Sequence, residues 1–255
     1  MRSIRTLALT TVTLGLLASA ASAQEVLRIG TEGAYAPFNF TNAAGELEGF
    51  DIDIARALCD EMAVTCEFVT SDWDGIIPAL QNERFDAIIA SMSITPERAE
   101  QVLFTDKYYN TPPAIAVSTG SEITEATPEA LAGKAIGVQG STTHSEAAEA
   151  YFPDAEIRIY PTAEEYQLDI ENGRLDAVMD DVVVLSDWVG EGDCCEVLDT
   201  LTADPAIYGE GAGVALRQSE EELAERFNTA IDAIRENGTY AEIQAKYFDF
   251  DVYGE

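Results

Sequence analysis

Short apolar runs alternate with amphipathic stretches of helical period along this chain, and the alternation happens twice. The first cycle reads as a strand Val26-Leu27-Arg28-Ile29-Gly30, a helix from Ile52 to Met62, and a strand Cys66-Glu67-Phe68-Val69. A helix from Trp73 to Gln81 follows, with Ile76, Ile77 and Leu80 on one face, then a strand from Phe85 to Ala90. The second cycle places strands at Ala114-Ile115-Ala116-Val117, Ala135-Ile136-Gly137-Val138, Ile157-Arg158-Ile159-Tyr160 and Ala177-Val178-Met179. Helices from Ser145 to Tyr151 and from Ala163 to Asn172 separate them. The chain closes with Gly213-Val214-Ala215-Leu216, a long helix from Glu220 to Glu236 stopped at Gly238, and a shorter one from Tyr240 to Tyr247. Strand-period and helix-period segments in alternation are the pattern of βα units around a largely parallel sheet. At 255 residues the chain accommodates two modest α/β lobes.

Charge narrows the possible partners. With 14 Lys+Arg against 47 Asp+Glu the net charge is −33, a field that repels phosphate backbones and anionic lipid, so no nucleic-acid partner is expected. The acids are spread along the chain, as on a solvated surface that keeps an exported protein soluble. Met1 to Ala23 reads as a secretory signal peptide: Arg2 and Arg5 precede an apolar stretch from Leu7 to Ala18, and Ala21-Ser22-Ala23 supplies the cleavage site. Cleavage after Ala23 would leave a mature chain starting at Gln24. No later segment approaches the ~20 apolar residues of a membrane span.

Cys59 and Cys66 have a spacing that suits a disulfide between a helix end and the next strand. Cys194 and Cys195 are adjacent, which permits either a vicinal disulfide or two thiols. With a single histidine, His144, and no CxxC, the usual zinc ligand sets are missing, and neither metal nor cofactor is expected.

In open α/β sheets ligands bind beyond the carboxyl ends of strands. The residues there are Glu32 and Tyr35, Trp73 and Asp74, Ser91 and Ser93, Gly140-Ser141-Thr142, and Asp180-Asp181. Arg98 lies in the first turn of a helix opened by Thr95-Pro96 and expected to run to Val102. A cation is unfavourable at that position unless an anion is held there; the alternative is a surface pair with Glu97 or Glu100. Asp181 ends an apolar strand and suits an ammonium partner, or serves as the N-cap of the helix after it. The turn at Ser141 and Thr142 offers N–H groups to an anion. Tyr35 and Trp73 could sandwich a cationic or aliphatic side chain, or belong to the core. Glu32 could neutralise a distal cation, or lie in solvent, and Asp51 reads as a helix N-cap. Motifs of nucleophilic, phosphate-binding or zinc-hydrolase chemistry are absent.

These residues, taken together, resemble the periplasmic solute-binding proteins of ABC transporters for amino acids, in particular the lysine/arginine/ornithine- and histidine-binding branch. The resemblance rests on Gly30-Thr31-Glu32 with Tyr35-Ala36-Pro37-Phe38, Gly49-Phe50-Asp51-Ile52-Asp53, Ser71-Asp72-Trp73-Asp74-Gly75, Ser91-Met92-Ser93-Ile94-Thr95 with Arg98, Gln139-Gly140-Ser141-Thr142, and Gly173-Arg174-Leu175-Asp176-Ala177. It implies the two-lobed type II periplasmic-binding-protein fold with two hinge crossings, one lobe from residues 24–111 with 207–255 and the other from 112–206. Arg98, with Ser93, Ser141 and Thr142, would hold the α-carboxylate. Asp181, with Ser91, would hold the α-ammonium, and Tyr35 and Trp73 would flank the side chain. The Cys59–Cys66 disulfide matches this branch as well.

Glu32 stands where the branch usually has aspartate, Ala90 where it often has serine, and Thr143 where it often has glutamine. The implied protein is a soluble periplasmic monomer that closes on a cationic amino acid, without catalysis or cofactor, and docks transiently on a membrane permease. The alternatives are a ligand such as glutamine, should Glu32 point to solvent, and an exported prephenate or arogenate dehydratase on the same scaffold.

Overall fold

The computed structural model describes residues 24–190 and 192–254; the expected export segment, Met1 to Ala23, lies outside them. The chain runs β1 (Val26–Thr31), a small meander of β2 (Ala34–Tyr35), β3 (Asn39–Thr41) and β4 (Leu47–Glu48), then α1 (Phe50–Glu61) and β5 (Thr65–Thr70). A 3-10 turn at Trp73–Gly75 leads into α2 (Ile76–Gln81), followed by β6 (Ala87–Ile88), α3 (Pro96–Ala99) and β7 (Leu103–Tyr109). Next come β8 (Pro113–Ser118), α4 (Pro128–Leu131), β9 (Ala135–Gln139), α5 (Thr143–Tyr151) and β10 (Glu156–Tyr160). The chain continues with α6 (Ala163–Glu171), β11 (Ala177–Asp181), α7 (Val182–Gly190), β12 (Cys195–Thr200), α8 (Pro205–Tyr208), β13 (Ala212–Leu216), α9 (Glu221–Glu236) and α10 (Thr239–Tyr247).

Two five-stranded sheets result, ordered β5-β1-β6-β13-β7 and β10-β9-β11-β8-β12. In the first, β1 pairs parallel with β5 and β6, and β13 runs antiparallel to both of its neighbours. In the second, β9 pairs parallel with β10 and β11, and β8 is the strand that runs against the rest. The two sheets therefore share one plan, in which β1 corresponds to β9 and β6 to β11. The chain passes between sheets twice, from β7 to β8 and from β12 to β13. Ile207 and Tyr208 of α8 pack into the core of the second sheet, so the return crossing comes after them.

Apolar period explains the elements that were expected. β8 is buried along Pro113-Ala114-Ile115-Ala116-Val117, as a strand covered on both faces must be. In α9, Leu223, Ala224, Phe227, Ala230, Ile231 and Ile234 recur at three- and four-residue spacing and face the core. Two helix starts carry hydroxyl caps that position the site. Thr95 accepts from the Arg98 backbone N–H, with Pro96 in the first turn, and Thr142 forms a capping box with Ser145.

Several expectations are corrected. The strand expected from Phe85 to Ala90 is limited to Ala87–Ile88, and the helix expected to reach Val102 ends at Ala99 because Val102 turns into the core. Asp51 is not an N-cap. Gly49 precedes the helix at φ +122°, where a Cβ would come within 2.2 Å of the Phe38 carbonyl oxygen, and Asp51 lies inside the first turn, fully buried. Cys59 and Cys66 form the disulfide between the end of α1 and β5, with Cα atoms 5.9 Å apart. Cys194 and Cys195 are two thiols, the second buried at the start of β12. Among the described residues no helix is long and apolar enough to cross a membrane.

Candidate ligand-binding site

A cavity lies where the carboxyl ends of the two sheets meet. The first sheet contributes Glu32 and Tyr35 from the end of β1 and from β2, Trp73 from the turn after β5, and Ala90, Ser91, Ser93 and Arg98 from the segment after β6. The second contributes Gln139, Thr142, Thr143 and His144, where β9 turns into α5.

The Arg98 guanidinium is held without a carboxylate. Its Nη1 donates to the Ser93 carbonyl at 3.2 Å and its Nη2 to the Ser141 carbonyl at 3.2 Å, and the group lies 5.3 Å from the Trp73 ring centroid. The Trp73 indole N–H donates to the same Ser141 carbonyl at 3.0 Å. Ser141 reaches both donors from a left-handed backbone, φ +57°. Among the described residues Arg98 forms no ion pair, so the surface pairing with Glu97 or Glu100 is not found. Burial pushes its pKa down to about 10, against the charges of Glu97 and Glu146, which act in the other direction.

Glu32 is the counterpart. Gln139 Nε2 donates to its Oε1 at 2.6 Å and to the Pro161 carbonyl at 3.0 Å. Burial pushes the Glu32 carboxyl up to about 7; the charges of Asp180, Asp72 and Asp74 act in the same direction, against the Gln139 bond. A cation placed here relieves both penalties.

Three buried acids stand behind the walls. Asp51 accepts from Ser91 Oγ, Asn39 Nδ2 and Tyr108 OH, each at 2.9 Å, and burial pushes it up to about 6. The Ser91 hydroxyl is thus committed to Asp51, and its backbone holds φ +54° with its N–H donating to Tyr108 OH at 3.0 Å. Asp181 accepts from the Thr111 hydroxyl and, at 2.7 Å, from the Val183 N–H, and burial pushes it up to about 7. Asp180 accepts from Tyr35 OH and Tyr166 OH, both at 2.5 Å.

Seven of the nine residues singled out by sequence line one cavity: Glu32, Tyr35, Trp73, Ser91, Ser93, Arg98 and Thr142. Ser141 borders the adjoining outer groove together with Trp73 and Arg98. Asp181 is not among the lining residues and stands one layer back, where it also serves the cap-like role weighed for it. Gln139 and His144 were not anticipated as site residues, and Asp180 was marked only by its place at the end of a strand. For Gln139 the available signal was its place at the end of a strand, the same signal that marks Glu32. Among the described residues no group of three His, Cys, Asp or Glu could hold a metal ion.

Residues 27–250 match the bacterial extracellular solute-binding proteins, family 3. The chain belongs to this family. The L-arginine-binding protein of Pseudomonas aeruginosa is 44% identical over 239 residues, covering 91% of this chain and 92% of that protein. The lysine/arginine/ornithine-binding periplasmic protein of Escherichia coli is 38% identical over 242 residues, 93% of each chain. Among solved structures, a Salmonella typhimurium periplasmic binding protein of high arginine specificity superposes with a TM-score of 0.82 at 33% identity, covering 88% of this chain and 99% of that one. This family 3 solute-binding protein has the two-lobed fold of its relatives, and its cavity lies between the two sheets.

Proposed function

We propose that this protein captures a cationic amino acid of the arginine, lysine, ornithine or histidine class in the periplasm and delivers it to an ABC permease, without catalysis. One observation carries the reading. One cavity presents a guanidinium that forms no ion pair among the described residues, Arg98, and a half-buried carboxylate, Glu32, whose charge is destabilised. Arg98 meets the ligand α-carboxylate by a two-pronged, charge-assisted contact, with Ser93, Ser141 and Thr142 around it. Glu32 meets the side-chain cation between Tyr35 and Trp73. The Ser91 backbone, its hydroxyl being committed to Asp51, and the charge of Asp181 from one layer back serve the α-ammonium. Glu32 lines the cavity, the placement that favours a cationic ligand over a neutral one such as glutamine.

Ligand contacts from both lobes bias the clamp toward closure. One lobe comprises residues 24–111 with the chain from 209 on, and the other residues 112–208, since Ile207 and Tyr208 pack into the core of the second sheet. The protein acts as a soluble monomer after removal of Met1 to Ala23, and its closed form is what the permease receives.

A thermal-shift screen of the common amino acids plus ornithine and citrulline tests the reading. A cationic ligand at a hundred times its dissociation constant adds ~2.7 kcal/mol of stability. A screen in which only neutral or acidic amino acids raise the transition would overturn it.

A further inference from the structure

Asp180 is 1% exposed and lies outside the cavity, yet two of the cavity walls are fastened to it. Its Oδ1 accepts from Tyr35 OH at 2.5 Å and from the Asp181 N–H at 2.7 Å, and lies 3.3 Å from His144 Nε2. Its Oδ2 accepts from Tyr166 OH at 2.5 Å. Tyr35 belongs to the meander beside the first sheet, whereas Asp180 ends β11 of the second and His144 lies in α5, so the carboxylate joins side chains from both halves. On the other side of the imidazole, His144 Nδ1 is 3.2 Å from Tyr208 OH.

We infer that Asp180 is a positioning residue for ligand capture: it holds the Tyr35 ring and the His144 ring in place across the two lobes and fixes His144 as its Nε2–H tautomer. The inference rests on the function proposed above for its consequence, but not for its geometry. Both Asp180 oxygens accept, from two hydroxyls and one N–H, so the imidazole nitrogen facing Oδ1 is the donor and carries the proton. Nδ1 then has a lone pair for the Tyr208 hydroxyl, and every polar atom of the chain Tyr208–His144–Asp180–Tyr35 has a partner. Burial and the Arg98 charge lower the His144 pKa while Asp180 raises it, and the net direction is downward, in keeping with a neutral ring. The Tyr35–Asp180 bond spans 145 residues of sequence and exists only when the two halves meet. Without it the Tyr35 ring loses its anchor and the closed clamp loses a direct tie, so ligand escapes faster.

The test uses untagged, 15N-labelled mature protein, in which His144 is the single histidine and its ring nitrogens can be assigned without ambiguity. In the wild type the proton is expected on Nε2. Asp180→Asn is expected to weaken the tightest-binding cationic amino acid by at least about tenfold, through faster dissociation, and to mix the His144 tautomers. Tyr35→Phe, which removes one hydroxyl, is expected to raise the dissociation rate several-fold and leave the tautomer unchanged. Should Asp180→Asn fail to fold, the wild-type spectrum and Tyr35→Phe decide the matter. A proton on Nδ1 in the wild type overturns the inference, and so does Asp180→Asn binding within threefold of wild type with the tautomer intact. A wild type that binds no cationic amino acid overturns the proposed ligand instead, and the ligand-free spectrum still decides the role of Asp180.

Discussion

Gln139 donates its side-chain amide to Glu32 at 2.6 Å, and this bond links the end of β1 to the end of β9, its equivalent in the other sheet. The carboxylate accepting it is one that burial and three neighbouring acids push up to about 7. A cationic ligand selects the ionised form, so ligand-free Glu32 must lose its proton before or during binding. The sign follows: affinity rises with pH and levels off above about 7. For one group of this pKa, fully ionised in the complex, affinity falls roughly twenty-five-fold from about pH 7.5 to about pH 5.5. Calorimetry across that range, in buffers of different ionisation heat, measures both the slope and the proton released. Glu32→Gln is expected to flatten the profile.

Removing the unpaired guanidinium is expected to be costly in binding and cheap in folding. Arg98→Ala loses the charge-assisted bonds to the ligand carboxylate, at least ~2 kcal/mol or about thirtyfold in affinity. Arg98→Lys keeps the charge but loses the planar fork, and should fall between the two. Equilibrium titration of both variants checks the order. The melting transition of ligand-free Arg98→Ala should change little, because the loss of two carbonyl hydrogen bonds and the Trp73 contact is offset by removal of a desolvated charge.

Ligand-free stability should fall as pH rises. Glu32 and Asp181 titrate near 7 and Asp51 near 6 in the folded protein, above the values of free carboxyls. Between about pH 4 and 7 the folded chain therefore holds protons that the unfolded chain has released, and raising pH through that window destabilises the fold. The transition temperature is expected to be higher near pH 5 than near pH 8, with a smaller difference in Asp51→Asn. A transition that rises steadily from pH 5 to pH 8 would contradict these directions.

The Cys59–Cys66 disulfide closes a short loop between α1 and β5, with a sequence separation of 7. On the chain-entropy account its removal costs about 2–3 kcal/mol. Cys59→Ser with Cys66→Ser should lower the denaturation midpoint accordingly while leaving affinity within about threefold, since neither cysteine lines the cavity.

Most strands and helices that position the site were legible because their sequences carry a clear period. β8 and β9 are runs of small and β-branched apolar residues, and α9 repeats apolar positions along one face. β7 was missed because Asp106 and Lys107 interrupt its apolar pattern, and β12 because Glu196 and Asp199 face outward on a sheet edge. Asp51 was misread for a physical reason. An acid after glycine before an apolar period is a local capping signal, but here Gly49 takes the turn and the carboxylate finds Ser91 and Tyr108, which are 40 and 57 residues away. Glu32, Trp73 and Arg98 could be found from strand ends and helix starts. Nothing local marks His144, and Asp180 shows only as a strand end, because Tyr35, the partner from the first sheet, is brought near only by the meeting of the two sheets.

The account stands on the ligand carrying a positive side chain to Glu32, and the most direct measurement compares charge at constant shape. Calorimetric titration near pH 8 with arginine, lysine, ornithine and histidine, and with citrulline as the uncharged counterpart of arginine, makes that comparison. The tightest cationic ligand is expected to bind at least about a hundredfold more strongly than citrulline. Citrulline binding as tightly as every cationic amino acid would contradict it.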